Sequence, residues 1–459
     1  MKTLLEHAKG SPLSILVSGM DSVGTISLLP PYAKQIVNIN LENGSWVDIQ
    51  RFSEIVSEPL PLLRTLNINI QEIDTDDPDE MMMTPPSKPL FSGAADLKAF
   101  CLHSEESAFL SHFVFPNLTS FELSVASEKF HCLQLLDFLE ASPMLQVVHM
   151  KIAARLSFEG IPDEKVVVLH NVETFCLVAS DSYGSHELAT DISCPSVKHT
   201  SLTHTGKKEP IHAILVESFP APSSLKTIIH QYTRNPIEEV KLGIEADIYD
   251  KTIACSLTFL SPDATVIKLR FEVTGDDEDQ NYVDKDYEGG KGWEGSFPAV
   301  YCNTFIDASK SILDVPLLAD VKRFHLYGLF GSGCTMDVAA RLGELFRSLG
   351  TLEELTICRC DMRLCFSPFL CRSEIPGRKK PDAYPLVRVL TISDPKIFNG
   401  DVAAGLVKLA KVQHERKVPF EHVTVRMNDP PAKMEESLRP WVGVVNCCNV
   451  PDGGEEGLM

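Results

Sequence analysis

With 459 residues and 44% hydrophobic side chains, the chain has ample apolar material for a continuous core, which excludes a disordered tail. Its 42 lysines and arginines stand against 63 aspartates and glutamates, and the formal charge of −21 repels phosphate at long range, which argues against nucleic acid as a partner. The 13 cysteines are odd in number and follow no disulfide framework, no apolar leader opens the sequence, and no apolar run approaches the roughly 20 residues of a membrane helix; these features predict a reduced cytoplasmic or nuclear protein without a membrane partner.

Along the chain a six-residue phrase recurs, apolar at its first, fourth and sixth positions. It runs Ile36–Leu41, Leu63–Ile68, Leu97–Leu102, Leu118–Leu123, Leu145–Met150, Val172–Leu177 and Val197–Leu202 in the first half. The second half adds Ile237–Leu242, Ala264–Leu269, Val321–Leu326, Leu352–Ile357, Val387–Ile392 and Phe420–Val425. So loose a pattern arises by chance in an apolar-rich chain, and spacing carries the case. The steps from 36 to 63, 118 to 145, 145 to 172 and 237 to 264 are each about 27 residues, within the range of leucine-rich repeats. Pro61, Pro116, Pro143, Pro195, Pro262 and Pro385 each stand two residues before a phrase, where proline stops a helix and favours extended geometry.

Between phrases, Asp48–Val56, Lys129–Leu139, Asp337–Leu349 and Val402–Val412 return apolar residues at three and four positions and predict helices. The expected fold is therefore α/β: a single irregular leucine-rich-repeat-like solenoid over residues 1–459, with parallel strands on the concave face and helices behind. Acidic loop insertions are expected near 71–89 and 275–296, and a partly disordered tail over 428–459.

Leu90–Ala94, Phe113–Leu123, Leu135–Leu145 and Val166–Phe175 resemble the repeat region of fungal F-box proteins, particularly those of mushroom-forming basidiomycetes, and Leu4–Leu13 resembles the stretch that follows the F-box there. The resemblance spans most of the chain and rests mainly on core-forming residues. It implies a non-catalytic interaction module, with substrate recognition for a cullin-type ubiquitin ligase as the family role. The F-box that docks on the ligase adaptor would precede residue 1, and the adaptor is an expected partner only if such a segment exists upstream. The asparagine of regular leucine-rich repeats stands only at Asn428, with Cys360 as a substitute, which makes the repeat irregular. The alternative is a scaffold or regulator of the same fold with no ubiquitin link.

In a strand the third, fifth and seventh phrase positions point away from the core. They carry Thr65, Asn67 and Asn69, then Ser120, Glu122 and Ser124, then His149 and Lys151. Later strands add Lys241, Lys268, Arg270, Arg323, His325 and Tyr327, and finally His422, Thr424 and Arg426. The early strands are neutral or acidic and the later ones basic. His149, Lys151, Lys241, Lys268, Arg270, Arg323, His325 and Tyr327 are the candidate partner-binding residues, fitted to an acidic segment of a protein, with Arg323 and Tyr327 as anchors. The plainer reading of the same residues is an ordinary solvated face partly neutralised by acidic neighbours.

Other motifs carry less. Cys358, Cys360, Cys365 and Cys371 cluster, but Cys358 and Cys360 flank one residue where structural zinc pairs flank two to four, so free thiols and no metal are expected. Asp284–Gly289 echoes a calcium loop without its closing glutamate. Gly328, Gly331 and Gly333 follow a predicted strand without the lysine or spacing of a nucleotide loop. With no nucleophile elbow or His-Glu-x-x-His present, neither a cofactor nor catalysis is expected.

Overall fold

The computed structural model describes Leu5 and residues 10–18, 26–56, 58–70, 89–104, 110–162, 165–180, 182–207, 222–232, 235–247, 252–262, 265–274, 309, 320–328, 336–362, 365–366, 387–395, 400–428, 430–431 and 433–449. The fold is mixed α/β, built on a large, mostly parallel sheet with helices, and it divides into two units. One comprises Met1–Thr205 with Thr227–Arg234, the other Gly206–Lys226 with Asn235–Met459.

The strands of the first unit are β1 (Leu13–Ser18), β2 (Ile36–Gly44), β3 (Thr65–Ile70), β4 (Ala99–Ser104), β5 (Ser120–Val125), β6 (Lys129–His131), β7 (Val147–Ile152), β8 (Arg155–Ser157), β9 (Val167–Val168), β10 (Thr174–Ala179), β11 (Ile192–Ser193) and β12 (His199–Lys207). The order β1-β2-β3-β4-β5-β7-β10-β12 makes one sheet, parallel throughout. Two short parallel ladders, β6 with β8 and β9 with β11, stand outside it. Each phrase in this unit supplies a strand. Positions one, four and six bury: Leu63, Leu66 and Ile68, or Leu118, Phe121 and Leu123, are almost wholly inaccessible.

A backbone pattern repeats with the phrase. Its first amide closes a turn onto the carbonyl three residues earlier, as in Leu63 to Leu60, Leu118 to Phe115, Leu145 to Ser142 and Val197 to Cys194. Pro61, Pro116, Pro143 and Pro195 occupy the second position of these turns, where a fixed φ near −65° is already correct. The proline therefore works in the turn itself, beyond merely ending a helix. The carbonyl at the second phrase position then accepts two successive amides of the next phrase: Lys98 from Thr119 and Ser120, Thr119 from Gln146 and Val147, Glu173 from Lys198 and His199.

The connections vary. Helix α1 (Trp46–Ile55) starts at a capping box in which Ser45 and Asp48 each accept the other's amide, and it buries Trp46, Ile49 and Phe52. Helix α2 (Cys132–Glu140) buries Leu135, Leu136, Phe138 and Leu139, and α3 (Ser182–Thr190) follows β10. Pro30–Gln35 and Leu110–His112 form tighter 3-10 turns. Helix α4 (Pro222–Tyr232) contributes its C-terminal half, where the buried Tyr232 hydroxyl donates to the Ala189 carbonyl at 3.3 Å. Between β4, β5 and α2 lies an aromatic cluster: the Phe100 ring centroid is 4.9, 5.2, 5.9 and 6.0 Å from those of Phe113, Phe115, Phe121 and Phe138.

The second unit contains β13 (Glu239–Asp247), β14 (Thr252–Leu260), β15 (Val266–Thr274), β16 (Arg323–Tyr327), α5 (Met336–Ser348), β17 (Glu354–Cys358), β18 (Val389–Ser393), α6 (Gly400–Glu415), β19 (His422–Arg426), α7 (Met434–Leu438) and β20 (Val444–Cys448). From β13 through β16, β17, β18, β19 and β20 the sheet is parallel, and the bridging carbonyls return at Glu238, Lys322, Glu353 and Arg388.

One expectation fails here. The step from 237 to 264 is no repeat of helix, turn and strand: β14, absent from the sequence reading, pairs antiparallel with both β13 and β15. Only residues 248–251 separate β13 from β14 and only residues 261–265 separate β14 from β15. A parallel crossover needs a dozen or more, so the chain can only turn back.

Helices predicted over Asp48–Val56, Lys129–Leu139, Asp337–Leu349 and Val402–Val412 appear as α1, α2, α5 and α6, with Lys129–His131 extended. Within the stretch from 428, α7 and β20 are formed, and residues 450–459 lie outside the described residues. So do the acidic stretches near 71–89 and 275–296, apart from Pro89. Among the described residues no helix is long and apolar enough to cross a membrane.

Candidate binding surface

The alternation that buries the fourth and sixth phrase positions leaves the third and fifth on the opposite face, and strand register sorts them into rows. In the first unit Asn40, Asn67, Cys101, Glu122, His149 and Cys176 are successive partners across β2, β3, β4, β5, β7 and β10. His149 and Lys151 are exposed on β7, beside Glu122 and Ser124 of β5. Asn40, Glu42, Asn67, Asn69, Cys101, His103 and Glu122 line an open depression of about 320 Å³. Cys101 and His103 hold the fifth and seventh positions of the phrase opening at Leu97, and the sequence reading passed over both. Burial and the facing Glu122 push the Cys101 thiol up to about 12.

The other six candidates belong to the second unit. Lys241 on β13 is the register partner of His325 on β16 and of Thr258 on β14, and Thr258 in turn faces Lys268 on β15. Arg323 faces Glu239, and that pairing organises the group. Glu239 accepts from Arg323 Nε at 2.9 Å and lies 3.2 Å from His325 Nε2 and 3.7 Å from Lys241 Nζ. Its side chain is 15% exposed against 42%, 30% and 37% for the three partners, so one screened carboxylate collects three more accessible nitrogens. Burial lowers the His325 pKa below its usual value, with Lys241 and Arg323 acting in the same direction and Glu239 opposing. Arg270 pairs with Glu272 on its own strand at 3.2 Å.

Tyr327, the next outward residue on β16, faces Gly243 and Cys358. Its hydroxyl accepts from Arg359 Nη1 at 2.8 Å, the Arg359 guanidinium lies 5.8 Å from its ring centroid, and Asp394 holds Arg359 Nε at 3.1 Å. Arg359 and Asp394 take left-handed φ values of 52° and 43° just past β17 and β18, and Gly328 does so at 74° just past β16. A Cβ on Gly328 would come within 1.8 Å of the Ile244 carbonyl oxygen, so the chain admits only glycine there.

The structure thus brings Lys241, Arg323 and His325 together and sets Tyr327 beside them, while His149 and Lys151 sit in the other unit. Glu239, Arg359 and Asp394 are site residues that sequence reasoning missed. Glu239 holds the outward third position of its phrase, but nothing local signals that its partner Arg323 lies 84 residues away. Of the second cysteine group, Cys360 and Cys365 are buried, Cys358 is half-buried, and the Cys360 thiol donates to the Cys358 carbonyl at 3.1 Å. Cys371, Asp284–Gly289, Gly331 and Gly333 lie outside the described residues. No protein-family model matches the chain, and no curated protein matches it.

Proposed function

We propose that the chain is a non-catalytic protein-interaction module that receives an acidic segment of a partner on the outward face of the second unit's sheet. The observation that carries the reading is the Glu239-centred group: Arg323, His325 and Lys241 converge on one carboxylate and remain partly exposed, beside a tyrosine fixed by Arg359. An incoming carboxylate would find donors already oriented, so little side-chain entropy is lost on binding. Aromatic and arginine side chains are also the residues that most often dominate interface energetics.

The finer fold reading is an irregular leucine-rich-repeat-like solenoid within each unit, supported by the recurrence of turn, strand and bridging carbonyl. Substrate recognition for a cullin-type ubiquitin ligase is the role we attach to it, with a ubiquitin-independent scaffold as the alternative. Co-purification of the ligase adaptor with a chain extended by its upstream coding sequence separates these two.

The binding surface is tested by comparing proteins captured by the wild-type chain and by the Arg323→Ala/Tyr327→Ala double variant, with folding of both verified by circular dichroism. Loss of an acidic partner from the folded variant supports the surface. An unchanged set of captured proteins refutes it.

A further inference from the structure

On β4, Cys101 and His103 are two residues apart and so share the outward face, and Cys101 is the register partner of Glu122 on β5. Their side chains converge: Cys101 Sγ lies 3.0 Å from His103 Nε2, and the ligand atoms of all three residues fall within 4.8 Å of one another. We propose that Cys101, His103 and Glu122 bind a divalent zinc-type ion at the floor of the Asn67- and Asn69-lined depression, with the fourth tetrahedral position open to water.

Ligand chemistry selects the ion. A thiolate, an imidazole and a carboxylate together suit zinc, whereas calcium and magnesium want oxygen alone. Charge agrees. A thiolate and a carboxylate supply two negative charges against the ion's two positive ones, and the thiol proton leaves to solvent as the metal–sulfur bond forms. Geometry needs a small adjustment. Bond lengths near 2.3 Å to sulfur and 2.0 Å to nitrogen set tetrahedral ligand atoms about 3.5 Å apart, so the Cys101–His103 pair opens by roughly half an ångström. Half-buried side chains beside an open depression can give that much. Asn67 and Asn69 border the space where the bound water would sit and can orient it.

The test uses the full chain, freed of metal by a chelator and titrated with Co²⁺, whose thiolate charge-transfer band reports sulfur ligation. A saturable band at a single equivalent, displaced by Zn²⁺, is expected. Cys101→Ser should abolish it, and His103→Ala and Glu122→Gln should each weaken binding by about tenfold or more. Cys176→Ser removes a half-buried thiol further along the same row and should leave the band unchanged. If Cys101→Ser fails to fold, Glu122→Gln decides, because Glu122 is exposed and its loss spares the core. Zn²⁺ then raises the unfolding temperature of the wild type clearly more than that of this variant, and an equal rise in both overturns the proposal. Absence of the band, its survival in folded Cys101→Ser, or its loss in Cys176→Ser overturns the proposal.

Discussion

Thr200 stands at the fourth position of its phrase, where the neighbouring strand places Phe175. It is 2% exposed, and its hydroxyl has no hydrogen-bond partner among the described residues. A buried hydroxyl left unpaired costs about 1–3 kcal/mol, whereas an apolar group of the same shape carries no such penalty. Thr200→Val should therefore stabilise the chain by about 1 kcal/mol, read as a higher denaturant midpoint at unchanged slope. Equal or lower stability would show that the hydroxyl is satisfied in solution. The residue illustrates the limit of reading single positions. The apolar rule located Thr200 in the core, but only the packed neighbours reveal whether its oxygen is satisfied. Glu239 is the converse case, an outward residue whose role depends on Arg323, 84 residues away on the neighbouring strand.

Among elements, the packing of β4 against its neighbours concentrates the most aromatic area. Phe100 is 1% exposed and touches rings from β5, from α2 and from Phe115, where the turn into β5 begins. Truncation there removes one face of several aromatic pairs at once and leaves a void that a parallel sheet cannot collapse to fill. Phe100→Ala should cost about 3–5 kcal/mol, measured by equilibrium unfolding, while a cost under 1 kcal/mol would mean that the cluster repacks. The sequence revealed strands of this kind because each buries the same three phrase positions. It did not reveal β14, although its buried Ala254, Leu257 and Phe259 fit the phrase, because that match stands only ten residues before the one at Ala264, far short of a repeat step. Nor did it reveal β20: Val442, Val445 and Cys447 fit the phrase, but they fall in the stretch expected to be a partly disordered tail, and none of the strand's five side chains is buried. The apolar pattern proposes strands, and the spacing between successive matches decides which of them a repeat can accept.

For the whole molecule, charge acts in two directions at once. The chain carries −21 overall, yet Lys241 and Arg323 gather on one sheet face around a single carboxylate. Distance decides which effect an acidic partner meets. At about 0.01 M salt the screening length is roughly 30 Å and the partner approaches against the net negative field; at about 0.15 M it is roughly 8 Å, and only the local cations remain within reach. Association with an acidic partner, or with a polyglutamate peptide as probe, should therefore speed up severalfold as salt rises over this range, the reverse of ordinary electrostatic steering. Dissociation should also quicken, because screening weakens the short-range contacts. Stopped-flow measurement of both rates distinguishes the two effects. An association rate that falls with salt would mean that the cationic group outweighs the net charge even at long range, and Arg323→Ala would then reverse the trend.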